Sequence, residues 1–250
     1  MSRVRLGWIG AGNMARALAR GIGEPVVAFD PFPGRAQELV DELGGEVAAS
    51  APEVAAHADM VVLCHKPAQL DQVAAELAGS APRVASILGG VALERLRAAY
   101  PGAQVVRLLP STPVEVRQGV TILAAESDQD AGLRELLERT GSVVELPEAQ
   151  VDVAMALMSN APAYVALLCE AQVDAGVRRG LPAPLAAELV TQNFAGTAAL
   201  IRARGFDTLA VRREVTSPGG STARGLAALE RGGVRAAFHD AIDAVLGEAR

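Results

Sequence analysis

Over the first part of the chain, short apolar runs alternate with stretches of helical period. Residues 4–9, 26–29, 60–64, 84–88, 105–109, 120–123 and 143–146 are strand-like, and they are apolar on both faces. Helical segments lie between several of them, among them 131–139 and 68–78, where Leu70, Val73, Ala74 and Leu77 share one face. Strands that must be buried on both sides, separated by helices, need a mostly parallel sheet covered on two faces. The pattern predicts a doubly wound α/β domain over residues 1–150.

Past residue 148 the strand period disappears. Residues 151–158, 162–179, 184–204, 222–231 and 234–248 all carry helical periodicity, with stops at Gly180 and Pro182, at Gly205 and at Gly232-Gly233. The second domain, 151–250, is therefore predicted to be all-helical. Residues 185–200 are apolar over more than one face, more than a small helical layer can bury alone. A homodimer through these helices accounts for the excess, and packing against the first domain is the alternative.

Composition narrows the class. The chain has 250 residues, of which 50% are hydrophobic, enough for a substantial core in one or two domains. No continuous apolar run approaches the ~18 residues of a bilayer span, and no leader-like start precedes the first strand, so a cytoplasmic protein is expected. A net charge of -6, without a basic run and with only 3% aromatics, offers nothing to a nucleic acid. Cys64 and Cys169 form neither a disulfide framework nor a metal spacing, and read as buried small hydrophobes.

Candidate chemistry begins at Gly10-Ala11-Gly12-Asn13-Met14-Ala15, a glycine-rich turn between an apolar run and an Ala-rich helical pattern. Gly10 permits the tight turn, Gly12 permits close approach of a phosphate, and Ala15 still lets helix pack on strand. A helix opening at Asn13 would turn its free amides and positive dipole end toward a pyrophosphate. Taken alone, the turn also fits a loop without ligand. The second strand ends in Asp30, 20 residues after Gly10, where a carboxylate accepts a ribose 2′-hydroxyl and repels a 2′-phosphate. NADH is therefore expected over NADPH, although Arg35 is close enough to compensate.

A second loop, Ser217-Pro218-Gly219-Gly220-Ser221-Thr222, precedes a helix in the second half. Its backbone amides and hydroxyls suit a small anion such as a carboxylate, while a plain turn capped by Ser221 or Thr222 is the alternative. His57, His65 and His239 pair with no carboxylate by spacing. Only His65, beside Lys66-Pro67 at a strand's end, is placed to face a cofactor.

These motifs stand in order with Arg107-Leu108-Leu109-Pro110-Ser111-Thr112-Pro113, Ala161-Pro162-Ala163-Tyr164, Asp174-Ala175-Gly176-Val177, Gly180-Leu181-Pro182 and Leu229-Glu230-Arg231-Gly232-Gly233. Over essentially its whole length the chain resembles the pyrroline-5-carboxylate reductase family. The resemblance implies a Rossmann-like domain joined to a helical dimerisation domain. It implies NAD(P)H-dependent reduction of a cyclic imino acid, 1-pyrroline-5-carboxylate, to proline by a dimer or higher assembly. It further implies that Gly10, Gly12, Asn13, Met14, Asp30, Lys66, Pro67, Pro110 and Ser111 bind the cofactor. Ser217, Gly219, Gly220 and Asn160 would bind substrate, and Thr222, with Ser221 second, would orient the imine; no metal is implied.

Three departures stand against the family pattern. Ser-Gly-Ser-Gly-Pro-Ala is Met158-Ser159-Asn160-Ala161-Pro162-Ala163 here, Met-Pro-Asn is Leu109-Pro110-Ser111, and Ala-Gly is Gly89-Gly90. They leave open a related reductase acting on another cyclic imine, in secondary metabolism or with a six-membered ring. A non-catalytic dinucleotide-binding protein is the third reading. The proline-forming reaction itself asks little of side chains, because a protonated imine carbon already accepts hydride once it is held in line with the nicotinamide.

Overall fold

The computed structural model describes residues 4–247, and the chain forms two compact units, Met1–Pro162 and Ala163–Arg250. In the first unit the order is β1 (Leu6–Ile9), α1 (Asn13–Ile22), β2 (Val26–Phe29), α2 (Arg35–Leu43), β3 (Gly45–Val47), α3 (Ala51–Ala56), β4 (Met60–Leu63) and α4 (Leu70–Leu77). It continues through β5 (Arg83–Ser86), α5 (Leu93–Ala99), β6 (Gln104–Pro110), β7 (Gly119–Ala124), α6 (Ala131–Glu138), β8 (Gly141–Leu146) and α7 (Glu148–Met158).

The eight strands form one sheet in the order β3-β2-β1-β4-β5-β6-β7-β8, parallel except for the β6–β7 pair. Alternate strand residues supply the two faces. Leu6, Trp8, Met60, Val62, Ala85 and Val106 pack under α1, α2 and α6, while Ile9, Val27, Val61, Leu63, Val84 and Val105 pack under α3, α4 and α5. That two-sided burial is why these strands read as unbroken apolar runs.

Two features depart from the periodicity. β3 is three exposed residues held to β2 as an edge, too short and too polar for an alternation signal. Between β6 and β7 the chain has only eight residues, including a single 3-10 segment, Thr112–Val116. A parallel crossover needs a dozen or more, so β7 must return antiparallel.

The second unit is helical: α8 (Ala161–Val177), which begins at the end of the first unit, then α9 (Ala183–Ala203), α10 (Thr208–Glu214), α11 (Ser221–Arg231) and α12 (Val234–Leu246). α10, absent from the periodicity reading, is started by the Asp207 carboxylate accepting the Ala210 N–H at 2.9 Å. From residue 163 onward, Ala186 and Val211 alone are buried among the described residues. Leu167, Leu189 and Leu229 are all more than half exposed. The stretch Glu148–Val177 holds no unbroken apolar run as long as a bilayer span, yet by length and mean hydropathy it is apolar enough to cross a membrane. Scattered polar residues hide this from a search for unbroken apolar runs. A subunit interface would cover the same surface.

Candidate active site

The order in which successive strands are added reverses between β1 and β4, with β2 and β3 on one side of β1 and β4, β5 and β6 on the other. A crevice opens outside the carboxyl ends of the strands at such a switch point. Here it is a cleft of about 850 Å³ lined by Gly10–Arg16, Asp30–Pro33, Arg35, Glu38, Cys64–Pro67, Gln69 and Ile87–Gly89. Gly10, Gly12, Asn13, Met14, Asp30, Lys66 and Pro67 thus share one cavity.

Gly10 has a φ of +98°, and a Cβ on it would lie 2.7 Å from the Cys64 carbonyl carbon. The turn therefore rests directly on the chain leaving β4, and only glycine fits. Gly12, in extended conformation, caps α1 without any side-chain bond, and a Cβ there would meet nothing within 4 Å. Its missing side chain opens onto the cleft, and the first amides of α1 are free to meet an anion. The size and the uncapped helix end together fit the pyrophosphate of a dinucleotide.

Asp30 accepts the Ala11 N–H at 2.7 Å and the Phe32 N–H at 2.8 Å. Arg16, outside the glycine motif and missed by it, donates from Nε to the Ala11 carbonyl at 3.0 Å and pairs with Glu38 at 2.5 Å. The Ala11 residue is thus gripped at both its N–H and its C=O. Arg35 stacks its guanidinium 4.3 Å from the centre of the Phe32 ring.

His65 hydrogen-bonds through Nδ1 to the Lys66 carbonyl at 2.9 Å. Burial lowers its pKa below the usual imidazole value, against a smaller opposing effect of that bond. Burial likewise pushes the Cys64 thiol far up, so it stays protonated and unreactive.

Pro110 and Ser111, also expected at the cofactor, lie outside the lining of this cleft. Ser111 is 4% exposed, and its Oγ accepts the Val120 N–H at 2.9 Å and donates to the Val120 carbonyl at 3.2 Å. Its hydroxyl is committed to the β6–β7 turn. Asn160 is half-buried just after α7, its N–H on the Met155 carbonyl at 3.3 Å.

In the second unit, the loop at 217–222 turns on Gly219, with φ +69°, and leads into α11. The N-cap is Gly220, and no side chain caps the helix. This removes the reading in which Ser221 or Thr222 serves as the cap. Both residues are exposed in the protomer, Gly220 donates to the Ser217 carbonyl at 3.1 Å, and Arg224 holds the Gly219 carbonyl at 2.7 Å. The loop is closed on itself and presents free amides and two hydroxyls.

One further group entered the sequence reading only as the first residue of the 107–113 motif. Arg107, a lone cation in an apolar run, is 2% exposed and pairs with both Glu148 and Asp152 of α7.

Comparison with known proteins agrees with this geometry. Residues 148–250 match the family model for pyrroline-5-carboxylate reductase dimerisation, and residues 5–88 match that for coenzyme F420-dependent NADP oxidoreductases. A pyrroline-5-carboxylate reductase of Synechocystis is 39% identical over 96% of this chain and 95% of its own length. Among solved structures, the 1-pyrroline-5-carboxylate reductase of Streptococcus pyogenes superposes with a TM-score of 0.87 at 28% identity, covering 98% of both chains. That of Plasmodium falciparum, solved with NADP bound, gives 0.84 at 26% identity over 98% of this chain and 96% of its own.

Proposed function

The chain belongs to the pyrroline-5-carboxylate reductase family, and on that footing we propose that it reduces the C=N bond of 1-pyrroline-5-carboxylate with hydride from NAD(P)H, forming proline. The observation that carries this reading is the convergence of Gly10, Gly12, Asn13, Met14, Asp30, Lys66 and Pro67 on one cleft at the switch point of the sheet. When bound, the reduced nicotinamide supplies the hydride.

The chain's own residues hold and orient. The Gly10–Met14 turn and the start of α1 receive the pyrophosphate, Asp30 faces the adenosine ribose, and Lys66 with Pro67 borders the far side. NADH is the proposed preference, because the Asp30 carboxylate disfavours a 2′-phosphate while Arg35 is drawn onto Phe32. In the loop from Gly219 to Thr222 the amides of Gly219, Ser221 and Thr222, with the Ser217 and Ser221 hydroxyls, hold the substrate carboxylate, Gly220 gives the turn its shape, and Asn160 borders the ring. The Thr222 hydroxyl oxygen accepts the N–H of the protonated imine and fixes the angle of the ring to the incoming hydride, and Ser221 is its second. No side chain need change protonation state.

The labour divides between a dinucleotide-binding part, 1–150, and a helical part, 151–250, that assembles the homo-oligomer and carries the substrate loop. The cytoplasm, with its pool of reduced dinucleotide, is the proposed compartment. A reductase of another cyclic imine is the second reading, favoured by Ser159 and Ala161 in place of two family glycines, with Asn160 between them. Following NADH and NADPH oxidation with 1-pyrroline-5-carboxylate and with its six-membered homologue decides between them. Faster turnover of the larger ring would give the second reading the substrate, and no turnover of either would leave a binding protein.

A further inference from the structure

Arg107 lies on β6, inside the sheet, yet it carries a charge into a region that is otherwise apolar. Two carboxylates of a single helix meet it: Glu148 on its Nη1 and Asp152 on its Nη2, the latter at 2.8 Å. The spacing of i and i+4 puts both on one stripe of α7, so a planar guanidinium gripping them fixes the roll of that helix as well as its distance from the sheet. Glu148 is held a second time, accepting the Leu93 N–H at 2.8 Å, which ties the same helix end to the start of α5. Buried charge is costly and is retained where a unique arrangement matters.

What that arrangement sets is the packing behind the Gly89 end of the cofactor cleft. Across the carboxyl ends of the strands, Asp30 follows β2, the glycine turn follows β1, and Ile87–Gly89 follows β5. A dinucleotide whose ribose meets Asp30 and whose pyrophosphate meets the turn therefore lays its nicotinamide toward Gly89. α7 stands behind that point. A Cβ on Gly89 would lie 3.7 Å from the Met155 sulfur, and Val151 and Met155 pack with Leu109 and Ile122 of β6 and β7. Ser159, just past the helix, donates to the Pro110 carbonyl at 3.4 Å.

We propose that Arg107 is a positioning residue for hydride transfer: by gripping Glu148 and Asp152 it sets α7 and places Met155 as the fixed backing of the nicotinamide end at Gly89. The proposal rests on the reductase reading and adds to it a residue that touches neither cofactor nor substrate. A shift of about 1 Å in such a backing costs up to 10²-fold in rate without loss of binding elsewhere.

Two variants test it in the full-length protein: Arg107→Lys, which keeps the charge but not the fork, and Arg107→Met/Glu148→Gln/Asp152→Asn, which strands no charge. In both, kcat is expected to fall by roughly 10- to 100-fold. Affinity for 5′-ADP, the adenine half alone, should stay within about two-fold because Arg107 is remote from Asp30 and the glycine turn. Deuterium at the transferred position of the cofactor should slow both variants at least as much as the wild type, locating the loss in hydride transfer. Wild-type kcat in the triple variant would overturn the proposal, since the clamp would then serve stability alone. So would a loss of kcat matched by an equal loss of 5′-ADP affinity. A wild-type protein that binds 5′-ADP but reduces no cyclic imino acid would instead overturn the reductase reading.

Discussion

The carboxylate of Asp30 accepts the backbone N–H of Ala11 at 2.7 Å, tying the end of β2 to the glycine turn through a side chain rather than through the sheet. Asp30 thus shapes the turn in addition to facing a ribose. Removing a charge-assisted bond of this kind costs about 1.5–3 kcal/mol. Asp30→Ala is expected to weaken NADH by roughly ten-fold or more by this measure. NADPH should weaken less, because the repulsion of its 2′-phosphate goes with the carboxylate. Fluorescence titration of both cofactors checks this, and an unchanged NADH affinity would show that the turn holds its shape without Asp30.

Gly10→Ala should damage fold and site together. The substitution forces a side chain into a φ of +98° and places its methyl 2.7 Å from the Cys64 carbonyl carbon. Strain and overpacking together cost about 2–4 kcal/mol. Urea unfolding should report that loss, and cofactor titration a parallel weakening; a variant with wild-type values in both would refute the close packing of this turn.

Thr222→Ala separates catalysis from cofactor binding. Losing one hydrogen bond to a charged group, about 1.5–3 kcal/mol, lowers kcat/KM by roughly one to two orders of magnitude. Cofactor affinity should hold within about two-fold, because all the proposed cofactor residues lie in the first unit. 1-Pyrroline, which lacks the carboxylate, should be a poor substrate for the unaltered enzyme. Equal turnover of 1-pyrroline and its carboxylate would remove the loop at 217–222 from the site.

Assembly should be visible in mass. With Ala186 and Val211 alone buried among the described residues after 163, a lone helical unit lacks a core of its own. Light scattering is expected to give at least twice the 25.8 kDa of one chain. Leu189, 54% exposed on α9, is a suitable probe, and Leu189→Glu should dissociate or unfold the protein. Folded, active protein at the mass of a single chain would contradict this.

His65 gives a pH dependence of known sign. Its pKa is lowered on folding by burial, so the unfolded chain takes up the proton first, near the ordinary value of about 6.5. Stability is then fully present above that pH and is lost as pH falls through it toward the lower folded value. Relative to His65→Gln, the wild type should lose melting temperature between about pH 7 and pH 5. Parallel curves for the two proteins would show that His65 is solvated.

Some of the site was written locally. The glycine turn, Asp30 after the second strand and Lys66-Pro67 after the fourth are each read from a few neighbouring residues, and the parallel sheet delivers all of them to one edge. The commitment of the Ser111 hydroxyl could not be read, because its direction depends on a partner strand nine residues away. Arg16 was passed over and Arg107 stood only as the first residue of the 107–113 motif, because their partners lie up to 45 residues distant and leave no short-range signal.

By itself the sequence determined the features that near neighbours decide among themselves: the alternation of strand and helix, the helix stops, the turn that glycine alone can make, and the motif order that marks the family. Only the tertiary structure decided the rest. It paired β3 as a three-residue edge, reversed β7, turned Ser111 into the sheet, pinned Ala11 between Asp30 and Arg16, and buried a cation against α7. Periodicity records which face of an element is apolar, but the partner that covers that face, or satisfies a buried charge, is selected by packing between segments far apart in the chain.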